Sequence, residues 1–513
     1  DSETQNLYKG FVDSTSPNSL PHEPIDKYRA RFFGGTTNWW GGACLPYDEI
    51  DFLKKTVTSN SGWPISRESL DQYYSRANEY FGINLVDFNL PPKSKLGSRE
   101  VIDGLSSSSI FKTKYWLLKE NKIKFGKKYK NKLKNSKNIK ILLNANVISL
   151  EQKNESIEHL IVKTINNKKF TVRGKKIILA MGGLEIPRIL LASKSHSRNG
   201  VGNNFDLVGR FYSPHVNATH GILILNPKVK VDRKYEKLSK GILYRKFISL
   251  SDDYIKKGYM NCKILLESID TVEKNELTEH VYKLFHPMTG INEIYNKILD
   301  KKNFAFALNG AFDQVPNYDS GIKLSKEKDV LGTPKIILKH AITEQDKKAY
   351  SDFYKLLAIT VGSYGLGRFC YDKSMRYLFK YIEGYHGASH HTGMTRMAIK
   401  PSEGVVDVNC KVFGLSNLYI SSASIFPTAS HANPTYTIVA LSIRLAEHLG
   451  NEMRSGWVMD RRKFIIMSSG LIISGSLIGK FFYDTKSDFL HNEKLLQKLE
   501  KITISAWFGQ RGH

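Results

Sequence analysis

Three histidines, His386, His390 and His391, fall within six positions, and a fourth, His431, stands two residues before Asn433. An imidazole titrates near pH ~6.5, so a histidine can take and return a proton close to neutrality. The i, i+4 spacing of His386 and His390 would place two imidazoles on one helical face, a metal-binding pattern. Gly384, Gly387 and Gly393 argue against a helix there, and no carboxylate or thiol completes a ligand set. Proton transfer is therefore the chemistry expected of the glycine-rich loop that leads into Arg396, and no metal is expected. Asn433 precedes Pro434 and Thr435 at the head of an apolar-periodic run, the pattern of a helix N-cap. A side chain in that place can also meet a bound anion or a substrate oxygen.

The elements around these residues are read from period and punctuation. Ser66 can cap a helix over 67–81, in which Leu70, Tyr73, Tyr74, Ala77, Tyr80 and Phe81 share one face and Gly82 ends the run. Segments 139–143 and 156–172 are expected to form strands around polar turns. Residues 176–180 read as a strand, Gly182-Gly183 as a turn and 184–193 as a helix. Such a βα unit brings backbone N–H groups to a phosphate. Residues 219–381 mix short β-like runs with lysine-rich loops and show no repeat, which suggests an α+β domain that shapes a substrate pocket. A strand is expected over 418–421. A helix is expected over 435–449, with Ile438, Leu441, Leu445 and Leu449 on one face and Gly450 closing it.

The chain has 513 residues, 41% apolar and 24% charged, enough for two to four domains of roughly 100–200 residues. This composition excludes a mainly disordered chain, a fibre and a multi-span membrane protein. The net charge is +27. The lysines are spread through 122–137 and 228–240 among Asn, Ile and Tyr, where nucleic-acid binding would gather them on one face. A solvated basic face or an acidic partner is the reading, with no nucleic-acid partner. Cys44, Cys262, Cys370 and Cys410 lie far apart and read as isolated buried thiols.

Several stretches together resemble the glucose–methanol–choline (GMC) FAD-dependent oxidoreductases, in the branch with pyranose oxidase and the large subunits of gluconate and fructose dehydrogenases. Phe33 to Gly42 (FGGTTNWWGG) is similar to the glycine-rich loop that passes the flavin ring, and Ser61-Gly62-Trp63-Pro64-Ile65 follows it. Asn144-Ala145-Asn146-Val147 resembles the segment whose valine backbone meets the adenine. Leu179 to Leu191 (LAMGGLEIPRILL) is similar to the second glycine turn and its helix, and Asp206 to Arg210 is a further match. His390 to Met397, Gly404 to Asp407, Ser424 to Thr428 and His431 to Thr435 match the C-terminal signature.

The resemblance implies an α/β plus α+β fold: an FAD-binding Rossmann-like domain, incomplete at its N-terminus, and an interleaved antiparallel-sheet substrate domain. Residues 1–215 would be the first part of the FAD-binding domain with lid or substrate insertions, 216–384 the substrate domain, 385–450 the segment returning to the flavin and 451–513 a tail. The implied reaction is oxidation of a CH–OH group of a sugar, sugar acid or polyol. The hydride goes to flavin N5 and the electrons to a cytochrome or quinone. His390 holds the position of the base and Asn433 that of the second catalytic residue, while His391 and His431 are expected to be structural. Cofactor contacts are implied for Gly34, Gly35, Thr36, Asn38, Trp39, Val147, Gly182, Gly183, Ser422, Asn433, Pro434 and Thr435. Trp39 stands where pyranose oxidase carries its flavin-linked histidine, so the FAD would be non-covalent. Ser422 stands where many members have Asp or Gly.

No Gly-x-Gly-x-x-Gly occurs in this sequence. The opening strand–helix–strand of the family's cofactor domain, with its ribose-binding acid, is therefore expected to lie outside it. A competing reading is a silent fragment that does not retain FAD. Met459-Asp460-Arg461-Arg462-Lys463 leads into an apolar stretch of 16 residues, 464–479, with the anatomy of an export signal. It is read as the start of a fused neighbouring frame, such as the small exported subunit that joins a cytochrome subunit in the gluconate and fructose dehydrogenases. The alternative is a short tail anchor or a buried amphipathic helix. A periplasmic or membrane-associated site, through a partner or the tail, follows by analogy; otherwise the chain is cytoplasmic.

Overall fold

The computed structural model describes residues 2–55, 60–83, 100–239, 241–268, 305–371 and 390–468. His386 and residues 469–479 lie outside them. An antiparallel sheet runs in the order β15 (Gly367–Cys370), β8 (Val216–Leu225), β12 (Ala305–Phe312), β11 (Cys262–Ser268), β10 (Ile242–Leu250), β3 (Phe111–Lys119) and β2 (Ala43–Cys44), with β9 (Tyr235–Ser239) on β10. The alternation of β10, β11 and β12 separates its two faces. Ile248, Leu250, Cys262, Ile264, Leu266, Phe306, Leu308 and Phe312 turn to one side. There they pack against Tyr350, Phe353, Tyr354 and Leu357 of the helix Glu344–Ser363. Thr343 caps that helix by accepting from Asp346 N, and the Asp346 carboxylate accepts in return from Thr343 N. Phe247 and Leu265 turn to the other side and join the second core.

That second core surrounds a parallel pair, β7 (Ile177–Leu179) and β16 (Leu418–Ile420), in register Ile177↔Leu418 to Leu179↔Ile420. Ser421 N extends the ladder by donating to Leu179 O at 2.9 Å. The chain leaves these strands at Met181-Gly182-Gly183 and at Ser421-Ser422, so both loops lie at one carboxyl end. That end is where ligands sit in parallel α/β sheets. A further sheet has the order β1 (Phe11–Val12), β14 (Pro334–Lys339), β13 (Gly321–Lys328), and another is β4 (Asn146–Lys153), β5 (Ser156–Lys163), β6 (Lys169–Val172).

Three expectations shift. The segment 139–143 is not a strand; Leu142 and Leu143 are exposed and the strand begins after Asn144, whose φ is +54°. Its apolar run makes no more than a single bridge, at Ile139, whereas β4 pairs with β5 through a short hairpin. The helix expected over 67–81 is α-helical over Asp71–Phe81, after a 3-10 turn at Glu68–Leu70. The final helix does not stop at Gly450 but runs over Thr435–Ser468. An interior glycine costs a helix only about 1 kcal/mol, and the next turn is anchored where Glu452 Oε2 accepts from Lys176 Nζ (2.7 Å) and Tyr419 Oη (3.1 Å). No helix of the described residues is long and apolar enough to cross a membrane.

Two glycines hold the loop of His390 by backbone contact. A Cβ on Gly183 would lie 2.1 Å from His391 O, and one on Gly393, whose φ is +94°, would lie 1.9 Å from Phe211 O. Gly183→Ala and Gly393→Ala are each expected to destabilise by about 2–4 kcal/mol. Gly362, helical with nothing within 4 Å of its Cβ position, should instead tolerate Ala with a gain of about 0.5–1 kcal/mol. Urea unfolding of the three variants checks the contrast; equal effects would show that these close approaches carry no strain.

Candidate active site

His390 is buried at 3% exposure and lies between two polar partners. Its Nδ1 is 2.7 Å from His215 Nε2, and its Nε2 is 3.4 Å from Asn433 Nδ2. Asn433 Oδ1 faces Lys263 Nζ at 3.4 Å. A lysine ammonium donates only, which fixes the amide: its oxygen turns to Lys263 and its NH2 to His390. His390 Nε2 is then an acceptor that faces the Asn433 amide, and Nδ1 carries the ring hydrogen and gives it to His215 Nε2. Burial, reinforced by His390 and Lys263, holds the His215 pKa well below the imidazole range, so His215 is neutral and able to accept. The expected helix-capping residue thus turns its side chain toward Lys263 and His390. Pro434 O begins the helical ladder by accepting from Ile438 N at 2.9 Å.

Lys263 and His215 were not among the residues singled out by sequence. Lys263 lies between Cys262 and Ile264 in β11, where only a polar face opposite the apolar one explains a lysine. Its ammonium stands 4.4 Å from the centroid of the Trp116 ring. Burial, with the charge of Arg245, pushes its pKa down to about 7.

Behind this row lies an acidic cluster. Ser430 Oγ donates to Asp51 Oδ2 (2.7 Å), Ser430 N donates to Asp313 Oδ1 (2.9 Å), and His431 Nε2 is 3.6 Å from Asp48 Oδ2. Burial opposes ionisation of Asp48, but Lys114 and His431 overcome it and hold its carboxyl below the usual range. Burial, with Asp48 and Asp313, pushes Asp51 up to about 7, and burial pushes His431 down to about 3. The ligand atoms of Asp48, Asp51 and His431 converge within 4.8 Å. Lys114 and Lys55 supply cations, at 2.5 Å from Asp48 and 2.9 Å from Asp313. This packing fixes the segment that ends in Asn433. His391 is held similarly, with Nδ1 3.1 Å from Tyr212 Oη.

The residues implied as cofactor contacts fall into three groups. Val147 and Met181 line one cleft with Tyr8, Arg31, Glu185 and Arg188. Gly182, with φ +83°, and Gly183 follow β7, and Gly183 abuts the His391 backbone. Ser422 begins the 3-10 turn Ala423–Ile425, while Pro434 and Thr435 are buried beside Asn433. The loop Gly34, Gly35, Thr36, Asn38 and Trp39 closes largely on itself. Asn38 Nδ2 donates to Phe33 O and Gly35 O, Thr36 Oγ1 accepts from Ala30 N, and Trp39, 42% exposed, lies against Phe32. The cleft has Val147, Met181 and Ile189 on its apolar side and Arg31, Asn146, Glu185 and Asp329 on its polar side.

Glu185, at the head of the helix Glu185–Ala192, receives Arg29 at 3.0 Å, Arg188 at 3.1 Å and Arg31 at 3.4 Å. Burial opposes its charge, but Arg188, Arg29 and Arg31 win and hold its pKa at about 2, against an ordinary 4.5. A lowered acid contributes stability above its unfolded value and loses it as pH falls between the two. Glu185→Gln is expected to cost about 3–5 kcal/mol at neutral pH, the penalty of leaving buried charge unpaired. It should also flatten the fall in stability between pH 4.5 and 2. Denaturant unfolding across that range checks both.

Residues 316–442, which contain His390, Arg396 and Asn433, match the family model described as GMC oxidoreductase. A C-glycoside 3-oxidase of Arthrobacter globiformis is 36% identical over 76 residues, 14% of this chain and 15% of that protein. The fructose dehydrogenase large subunit of Gluconobacter japonicus is 22% identical over 289 residues, 56% of this chain and 49% of that protein. The chain therefore spans about half, or less, of the curated relatives it matches. Among solved structures, an FAD-dependent oxidoreductase from Chaetomium thermophilum superposes with a TM-score of 0.50 at 13% identity, over 88% of this chain and 94% of that one. That likeness shows the fold alone, an α/β architecture with an attached antiparallel sheet. The likeness to the GMC oxidoreductases is carried by residues 316–442.

Proposed function

We propose that this chain is an FAD-dependent oxidoreductase acting on a CH–OH group of a sugar, sugar acid or polyol, with His390 as base and Asn433 orienting the substrate oxygen. The observation that carries the reading is the pair of contacts His390 makes, Nδ1 to His215 Nε2 at 2.7 Å and Nε2 to Asn433 Nδ2 at 3.4 Å, from which Nε2 is read as an acceptor beside an amide donor. A substrate hydroxyl placed between them gives its proton to Nε2 and accepts from Asn433 Nδ2. As the oxygen gains electron density the amide bond to it strengthens, so Asn433 favours the transition state over the bound alcohol. The imidazolium that forms keeps its Nδ1–H directed at neutral His215, which disperses the charge in a site closed to water.

FAD supplies the hydride acceptor when bound. Val147, Met181 and Arg31 would hold its adenosine end, and Gly182-Gly183 would let it approach the ends of β7 and β16. Trp39 has no atom suited to a covalent flavin link, which supports non-covalent binding. The relative named as a large subunit supports a partner subunit, and onward transfer to a cytochrome or quinone is part of the same proposal. An attachment of this kind would also set a periplasmic or membrane-associated location.

One observation favours the second reading, a chain that does not retain FAD alone. Glu185 opens the helix after Gly182-Gly183 and places a carboxylate where a phosphate would approach the helix terminus.

Anaerobic mixing of the FAD-loaded chain with a panel of sugars, sugar acids and polyols, followed by flavin absorbance, tests the proposal. His390→Ala is expected to slow flavin bleaching by about 10²–10⁴-fold while leaving the amount of bound flavin unchanged. Bleaching at the wild-type rate would assign the base elsewhere. A chain that takes up no flavin from excess FAD would decide for the silent reading.

A further inference from the structure

The sheet face that meets Asn433 is basic and incompletely satisfied. Cross-strand pairs place Lys112 opposite Ser249, Lys114 opposite Phe247 and Trp116 opposite Arg245, while Lys263 lies opposite Ala311 and Ala311 opposite Asn217. Direct partners share a face, so these side chains form one surface on the side away from the helix Glu344–Ser363. Phe247 fixes where it points, because its ring lies 5.6 Å from that of His431. Four buried polar atoms on it have no hydrogen-bond partner among the described residues: Trp116 Nε1, Arg245 Nε, Ser249 Oγ and Asn217 Oδ1. Buried polar atoms are nearly always satisfied, so a group of them on one surface indicates a polar occupant.

The charges specify that occupant further. Lys114 is paired with Asp48 and Arg245 with Glu267. Lys263, 6% exposed, is within salt-bridge distance of no carboxylate among the described residues. Its contacts are the Trp116 ring and the long bond to Asn433 Oδ1. A buried ammonium without an anion is costly unless it is neutralised or paired, and its lowered pKa of about 7 reflects that strain. The same Asn433 amide touches Lys263 with one end and His390 with the other, so an anion on Lys263 would stand the width of one amide from the reacting carbinol.

We propose that the substrate is a hydroxy acid whose carboxylate is received by Lys263, with Trp116 Nε1 and Arg245 Nε as neighbouring donors. This rests on the oxidoreductase reading and selects the sugar-acid class within it. Neutral sugars and polyols of the same length would leave Lys263 unpaired and bind poorly.

The test uses two matched pairs that differ only in carboxylate against hydroxymethyl or methyl-alcohol termini: D-gluconate with D-glucitol, and L-lactate with 1,2-propanediol. Binding to the full chain, with and without FAD, is read by calorimetry, and flavin bleaching is followed in parallel. In the wild type at least one acid is expected to bind roughly 30-fold or more tightly than its neutral counterpart, as for a buried charge pair. Lys263→Met should abolish the preference and Lys263→Arg should retain it, with unchanged circular dichroism in both. Neutral partners binding as tightly as the acids, no binding of either acid, or a preference that survives in Lys263→Met would overturn the proposal. Bleaching by glucitol or propanediol at least as fast as by the acids would leave the oxidoreductase reading standing and remove the anion site. An acid held through Lys263 without bleaching in FAD-loaded protein would do the reverse.

Discussion

Glu185 sits among three guanidinium groups, and much of the molecule is tied to that carboxylate. Arg29 also donates to Ile25 O and Tyr8 O, and Arg188 donates to Leu7 O, Pro334 O and Asp329. One node therefore joins the first thirty residues, the helix Glu185–Ala192 and the turn between β13 and β14. These arginines give up much of their hydration, which is tolerable only because carboxylates and carbonyls replace the water on nearly every N–H. The glycine turn that precedes Glu185 is the surface on which His391 rests. Loosening the node would release the loop that carries His390.

From that anchored loop a line of side chains reads in one direction. Asn433 faces Lys263 with its oxygen and His390 with its nitrogen, and His390 passes its remaining hydrogen to His215. Each side chain has its donor or acceptor role set by the one before it, so the protonation of His390 is decided by a lysine two side chains away on the antiparallel sheet. The acidic cluster at Asp48, Asp51 and Asp313 lies outside this line. It positions Ser430 and His431 and so determines where Asn433 emerges.

His390 and Asn433 were legible as a pair before any geometry was known, because each lies in a compact motif whose neighbours are sequence neighbours. The same holds for Gly182-Gly183 and the strand and helix around it. Lys263 and His215 were not legible, since what gives them meaning is the pairing of strands from distant parts of the chain. An alternating run shows that a strand has two faces but not which face meets which loop. The segment 139–143 misled because apolar content stood in for a ladder, whereas only Ile139 makes a bridge and Leu142 and Leu143 are exposed. Gly450 misled because a helix end was read from one residue, while Lys176 and Tyr419, far away in sequence, bind the turn beyond it.

The two faces of the large sheet divide its strands by parity. In β10, β11 and β12 the even-numbered side chains Ile248, Ile264, Leu266, Phe306 and Leu308 build the core on the helix Glu344–Ser363. Of the odd-numbered side chains, Phe247 lies beside His431 and Lys263 beside Asn433, on the surface they share with Arg245, Ser249 and Ala311. Stability and recognition are therefore encoded in the same strands on alternate letters. Substitutions at Ser249, Lys263 or Ala311 can redraw that surface while the core on the helix Glu344–Ser363 stays intact, so descendants of this chain could diverge there without first losing their fold. A single-residue insertion would exchange the two alphabets at once, presenting isoleucine to the ligand and lysine to the core. Length, more than composition, is what selection must hold constant here.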